Sequence, residues 1–79
     1  MVAVPIKDPE GMFVRTLHNQ EHEKRFSITQ TGRDWEVLLE QDHRIVRRVK
    51  YDDWHRVERA RRVFALEADS LRQAGWVER

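Results

Sequence analysis

The sequence predicts an α+β domain of two layers, a three-stranded antiparallel meander followed by one long amphipathic helix packed on one face of the sheet. Residues 25–51 contain three runs in which apolar and polar side chains alternate, as in half-buried strands. Short polar turns separate these runs. Residues 53–74 instead carry apolar side chains at helical spacing. With 79 residues, the chain has room for one domain and one modest core.

The beginning of the chain lacks this regularity. Pro5, Pro9 and Gly11 are followed by a polar run over residues 18–24. We therefore predict a flexible N-terminal arm over residues 1–23, the first eleven of them mobile, and a β-β-β-α domain over residues 24–79. Within the arm, the apolar residues of segment 12–17 are compatible with a short edge strand, a helical turn or a piece that docks on a neighbouring subunit.

The first two strands form a predicted hairpin. Phe26 and Ile28 alternate with polar neighbours, which predicts a strand over residues 25–30. Gly32 follows in a polar turn, where a glycine can adopt positive φ. Trp35 then begins a second alternating run that continues to Glu40.

The third strand follows the polar turn 41–44 and ends near Tyr51. Strict alternation divides its side chains between two faces. One face carries Ile45, Arg47, Val49 and Tyr51, and the other carries Val46, Arg48 and Lys50.

The helix is predicted over residues 53–74. Asp52 or Asp53 can accept the free N–H groups of the first turn as an N-cap. Gly75 is placed to end the helix with positive φ, and Trp76 to contact Leu71, as in a Schellman motif. At 100° per residue one apolar stripe faces the sheet, formed by Val57, Ala60, Phe64, Ala68 and Leu71.

This order of strands before a helix, with Trp54 near the helix start, resembles that of small ββ(β)α modules, including the single-strand-binding coactivator type. The chain carries no motif that is diagnostic of one such family. RNA or DNA binding would be implied by that resemblance only through fold analogy.

Composition excludes several classes of protein. The absence of cysteine removes disulfides, thiolate zinc sites and cysteine nucleophiles, and it fits a cytoplasmic protein. The N-terminus has no export signal, and no apolar run approaches the roughly 18 residues that span a membrane. No sequence feature indicates a cofactor or a small-molecule substrate.

Charge is unevenly distributed along the chain. Residues 1–43 carry a net −3, residues 44–62 a net +5 and residues 63–79 a net −1. The middle segment could bind the phosphates of a nucleic acid, with Trp35 or Tyr51 stacking on bases. The candidate residues for nucleic-acid binding are Arg44, Arg47, Arg48, Lys50, Arg56, Arg59 and Arg62.

A second set of residues indicates protein contact. Leu38 and Val46 fall on the sheet face that the helix leaves uncovered, and Val63 and Leu66 form a weak apolar line on the outward side of the helix. One helix on three strands cannot cover this much apolar surface. We therefore expect a homodimer or a complex with another protein through these four residues.

Neither catalysis nor metal binding is expected. His18 and His22 have the spacing of helical metal ligands, but they lie in a polar stretch without the zinc-protease pattern. Asp52, Asp53 and His55 cluster at the helix start, where capping accounts for the carboxylates. The sequence thus favours a non-enzymatic interaction or regulatory module, with nucleic-acid binding as the alternative.

Overall fold

The computed structural model describes residues 13–79, which form one antiparallel sheet of five strands with a helix packed on it. The α+β class is confirmed, but the sheet has five strands instead of the predicted three. The strand order across the sheet is β4-β3-β2-β1-β5. The elements are β1 (Phe13–Asn19), β2 (His22–Thr31), β3 (Asp34–Gln41), β4 (Arg44–Tyr51), α1 (Trp54–Gln73) and β5 (Val77–Glu78).

The two additional strands lie together at one side of the sheet. β1 pairs with β2 along its whole length. Residues 13–17 therefore belong to a strand, which was one of the three structures compatible with segment 12–17. β5 pairs with Leu17 and His18 of β1. The mobile arm predicted for residues 1–11 lies outside the described residues.

Tight turns join the first four strands. Each hairpin loop has two residues, and Gly32 has the positive φ of 64° expected of a glycine at the first loop position. Asp42 and His43 adopt φ values of 53° and 68° without being glycine. The Asp42 carboxylate accepts a hydrogen bond from the backbone N–H of Glu23 at 2.9 Å, which holds this turn against β2 and lowers the pKa of Asp42.

The register of β4 differs from the strict alternation predicted for it. A shift lies between Leu39 and Glu40 of β3, so that Arg47 is opposite Leu39 while Ile45 is opposite Glu40. Val46 is the extra residue of this β-bulge. Ile45 therefore lies on the face opposite to Arg47, and its predicted place beside Arg47 was wrong.

Helix α1 begins and ends close to the predicted positions. The Asp53 side chain accepts the backbone N–H of His55 at 3.0 Å, as expected of an N-cap. Gly75 has φ 107°, and the backbone N–H of Trp76 donates to the carbonyl of Leu71 at 3.0 Å. This is the predicted Schellman motif.

The core lies between α1 and the sheet face that it covers, which we call the inner face. The Phe64 ring centroid lies 4.9 Å from that of Phe26 and 6.2 Å from that of Phe13. Over residues 13–79, no helix combines the length and the apolar character needed to cross a membrane. The buried apolar residues are Leu17, Phe26, Ile28, Val37, Val57, Phe64 and Ala68.

Candidate functional site

Helix α1 leaves part of the inner face uncovered on the side of β4. On this face Arg47 of β4 is exposed, whereas Phe13, Arg15 and Leu17 of β1 are half-buried or buried. A groove of about 360 Å³ remains between β4 and α1. Its apolar lining comes from both layers and consists of Val37, Val49, Ala60, Val63 and Phe64.

Three arginines border this apolar lining, and we call the site the arginine groove. Arg47 comes from β4, and Arg56 and Arg59 come from neighbouring positions one turn apart on α1. Tyr51 at the end of β4 also lines the groove. None of the three guanidinium groups forms an ion pair with any of residues 13–79.

Three arginines beside an apolar lining favour a particular kind of ligand. A guanidinium group offers paired N–H donors that match carboxylate or phosphate oxygens. Apolar walls lower the local dielectric and strengthen the attraction of an anion relative to open water. The arginine groove therefore has the chemistry to bind a ligand that carries both anionic and apolar groups.

The opposite side of α1 is organised differently. Arg15 of β1 donates to both carboxylate oxygens of Glu78, with Nε–Oε2 and Nη2–Oε1 distances of 2.8 Å and 2.7 Å. Its Nη2 also lies 3.4 Å from Oδ1 of Asp69 on α1. The hydrogen bond from Arg15 lowers the pKa of Glu78, an effect that Arg72 at 4.0 Å reinforces.

A depression of about 650 Å³ lies beside this ion-pair network, lined in part by Asp69, Arg72 and Glu78. It is larger than the arginine groove, but its charged side chains already bind one another. A charged ligand would have to break these contacts to bind. We therefore regard this side as a structural clamp between β1, α1 and β5.

The structure divides the predicted nucleic-acid residues among several surfaces. Arg47, Arg56 and Arg59 meet in the arginine groove. Arg48 and Lys50 are on the face turned away from α1, which we call the outer face, where Nε of Arg48 lies 2.6 Å from Oε2 of Glu36. Arg44 is exposed at the start of β4. Arg62 does not line the groove.

The four predicted interface residues also lie on different surfaces. Leu38 is on the outer face, and Val46, which has no partner residue on β3 at the bulge, is 58% exposed. Val63 lines the arginine groove. Leu66 is 70% exposed, and at 100° per residue it points away from the sheet. No single flat contact can include all four side chains.

Sequence reasoning missed two residues of the outer face. Val14 was not assigned a face because its segment was compatible with three structures, and Ile45 was assigned to the inner face because the bulge was unknown. Both are about half exposed. Between Val14 and Leu38 lies Ser27, which is only 7% exposed.

Two of the remaining polar candidates have structural roles. The Asp53 carboxylate caps α1, and Nδ1 of His22 lies 3.2 Å from Oδ2 of Asp42 in the β3–β4 turn. Among residues 13–79, no three His, Asp or Glu side chains converge as metal ligands would.

No family model, curated protein or solved structure matches this chain. Function is therefore inferred from two surfaces, the outer face and the arginine groove.

Proposed function

We propose that this protein is a non-enzymatic cytoplasmic interaction module that forms a homodimer by packing the outer faces of two sheets against each other. The observation that carries this proposal is the apolar centre of that face. Val14 and Leu38 flank the buried Ser27, and Ile45 is opposite Glu40, two positions along β3 from Leu38. Ile45 and the neighbouring Val46 are each 55% or more exposed. Packing against a second sheet would remove these side chains from water.

The charges on the outer face favour a second copy of the same chain. Arg48 pairs with Glu36 at 2.6 Å, and Nε of Arg25 lies 4.0 Å from Oε1 of Glu40. Bases and acids therefore already neutralise each other within the face. Two such faces can meet without accumulating charge of one sign.

The available area supports a dimer of modest affinity. Four strands at a spacing of about 4.8 Å, each about 26 Å long, present about 500 Å² on one side. Two copies would then bury about 1,000 Å² in total, near the lower limit for a specific interface. We therefore expect reversible dimerisation, with a dissociation constant in the micromolar range.

Sedimentation equilibrium of the wild type and of outer-face variants tests the proposal. In Leu38→Asp and Val46→Asp, a charge would be placed in the contact, so the dimer dissociation constant should rise at least about tenfold. The matched control is Leu66→Asp, which adds the same charge on the far side of α1 and should dimerise like the wild type. Circular dichroism melting checks that each variant is folded.

Two results would contradict the outer-face dimer. The first is a wild-type protein that sediments as a monomer at concentrations approaching about 1 mM. At that concentration a dimer with an association free energy of only about −4 kcal/mol would be detected. The second is a dimer that Leu66→Asp dissociates and Leu38→Asp leaves intact. That result would move the contact to the outward side of the helix.

A further inference from the structure

We propose that the arginine groove and the free edge of β4 together bind an extended acidic peptide segment, which adds to the sheet as a further strand. Its acidic side chains stand at alternate positions, so that all of them face the groove, and its apolar side chains lie between them. This site is separate from the homodimer contact, since the groove opens on the inner face and at the sheet edge.

The backbone of β4 supplies the first part of the site. β4 is the last strand on its side of the sheet and pairs only with β3 among the described strands. Every second residue of an edge strand directs its N–H and C=O groups away from its one neighbour. These groups can accept a peptide strand by β-augmentation, in which main-chain hydrogen bonds supply affinity.

The side chains of the groove supply the specificity. Arg47, Val49 and Tyr51 lie on the inner face of β4 and line the groove at every second position. A strand added beside β4 would also point every second side chain to the inner face. There these side chains would meet Arg56 and Arg59 of α1 as well as the apolar lining.

The other edge of β4 shows which strand chemistry complements it. Its partner β3 carries Glu36 and Glu40 among apolar residues, and Glu36 accepts a hydrogen bond from Arg48 at 2.6 Å. β4 itself contains four basic residues and no acid. The basic strand β4 therefore already has one acidic neighbour, and a second acidic strand would complement the charge at its free edge.

Charge excludes a second copy of β4 from this edge. Antiparallel self-pairing would bring together two copies of a strand that carries Arg44, Arg47, Arg48 and Lys50 and no acidic residue. Like charges directly opposite each other destabilise a strand pair.

An acidic peptide also fits the groove better than a nucleic-acid strand. A single strand needs a basic track along its phosphates and several aromatic side chains on which bases stack. The groove has three arginines and only Tyr51 and Phe64 as aromatic lining, while Arg48 is paired with Glu36 and Arg62 lies elsewhere. Three guanidinium groups over an apolar lining match a few carboxylates spaced along a peptide.

The site can be tested with a synthetic seven-residue peptide of alternating glutamate and valine. The peptide is titrated into the protein, and binding is monitored by two-dimensional ¹H–¹⁵N NMR. We expect chemical-shift changes in β4 and in the first half of α1, and little change at the clamp around Arg15 and Glu78. A peptide with glutamine in place of every glutamate should bind at least about tenfold more weakly, because the charge-assisted hydrogen bonds are lost. Failure of the acidic peptide to bind at millimolar concentration overturns the proposal.

Matched arginine variants test whether the acidic peptide binds in the groove. Arg56→Glu and Arg59→Glu should each weaken acidic-peptide binding by at least about tenfold, since each introduces repulsion within the groove. Arg62→Glu makes the same charge change on the same helix outside the groove, and it should weaken binding less than about threefold. Equal weakening by all three variants would show a diffuse charge effect and contradict the assigned site.

Two further probes separate strand addition and nucleic-acid binding. Methylation of alternate backbone nitrogens on the peptide edge that faces β4 should abolish binding, because it removes the ladder donors. Unchanged affinity would overturn strand addition. A mixed-sequence single-stranded oligonucleotide that binds the same residues more tightly than the acidic peptide would assign the groove to nucleic acid instead.

Discussion

The two sides of α1 use arginine for opposite purposes. On the side of β1 and β5, Arg15 is bound by Glu78 and Asp69, and its side chain is only 20% exposed. On the side of β4, Arg47, Arg56 and Arg59 line a groove without an acidic partner among residues 13–79. Arginine content alone therefore does not identify a binding surface, because the presence of nearby carboxylates decides whether the guanidinium group is free to bind a ligand.

The difference originates in the short segment of chain after α1. Gly75 turns the backbone at the end of the helix, so that β5 can pair with β1 and bring Glu78 next to Arg15. No described element covers the corresponding space beside β4. Within residues 13–79, β5 closes the side of β1, and the side of β4 is left uncovered.

Phe64 contributes to both sides, and its removal should have the largest effect. It packs on Phe13 and Phe26 and also lines the arginine groove. We expect Phe64→Ala to lower the free energy of unfolding by about 3 to 5 kcal/mol, measured by urea denaturation. Leu66→Ala, at a side chain that is 70% exposed, should change it by less than about 0.5 kcal/mol. Equal stability of Phe64→Ala and the wild type would contradict the helix register.

Matched substitutions on the two sides test the comparison directly. Arg15→Met leaves Glu78 without its hydrogen-bond donor and should lower the free energy of unfolding by about 1 to 2 kcal/mol, given the partial burial of both groups. Arg59→Met removes a charge that has no described partner and should have an effect within about 0.5 kcal/mol. If the two variants lose equal stability, the distinction between a clamp and a binding groove fails.

The clamp should also be sensitive to acid. Arg15 lowers the folded-state pKa of Glu78 below the ordinary carboxyl value of 4.5, so the unfolded chain takes up the proton first as the pH falls. The stabilising contribution is therefore complete above that value and is lost as the pH drops through the folded-state pKa of Glu78. Denaturation of the wild type and Arg15→Met at a series of pH values should show two stabilities that converge in acid. A constant difference would mean that Arg15 acts through packing.

Regular patterns explain what could be predicted from the sequence. In β2 and β3, Phe26, Ile28 and Val37 stand at alternate positions of the predicted strands, and all three are buried in the core. The helix was predicted equally well, because Asp53 and Gly75 are capping residues at its two ends. Patterns within single segments were therefore sufficient to predict β2, β3 and α1.

The missed features depend on contacts between distant segments. β1 was ambiguous because Arg15 occupies an inner-face position between Phe13 and Leu17, where only the carboxylate of Glu78 makes a charge acceptable. β5 has two residues and can show no periodicity. The bulge that moves Ile45 to the outer face leaves no local sequence signal. Part of the groove could be predicted from the sequence, since Arg56 and Arg59 are one helical turn apart. That Arg47 lies beside them could not be predicted, because it depends on how α1 crosses the sheet.

The tight hairpins also bear on how this molecule assembles. Strands β1 to β4 follow one another in the sheet in chain order, and each pair is joined by a two-residue loop. Closing such short loops costs little chain entropy, so the meander can form early and rapidly. The contact between Arg15 and Glu78, by contrast, joins residues 63 positions apart. We therefore expect β1 and β5 to be the last two strands to pair, after β4 has already taken its place at the other edge of the sheet.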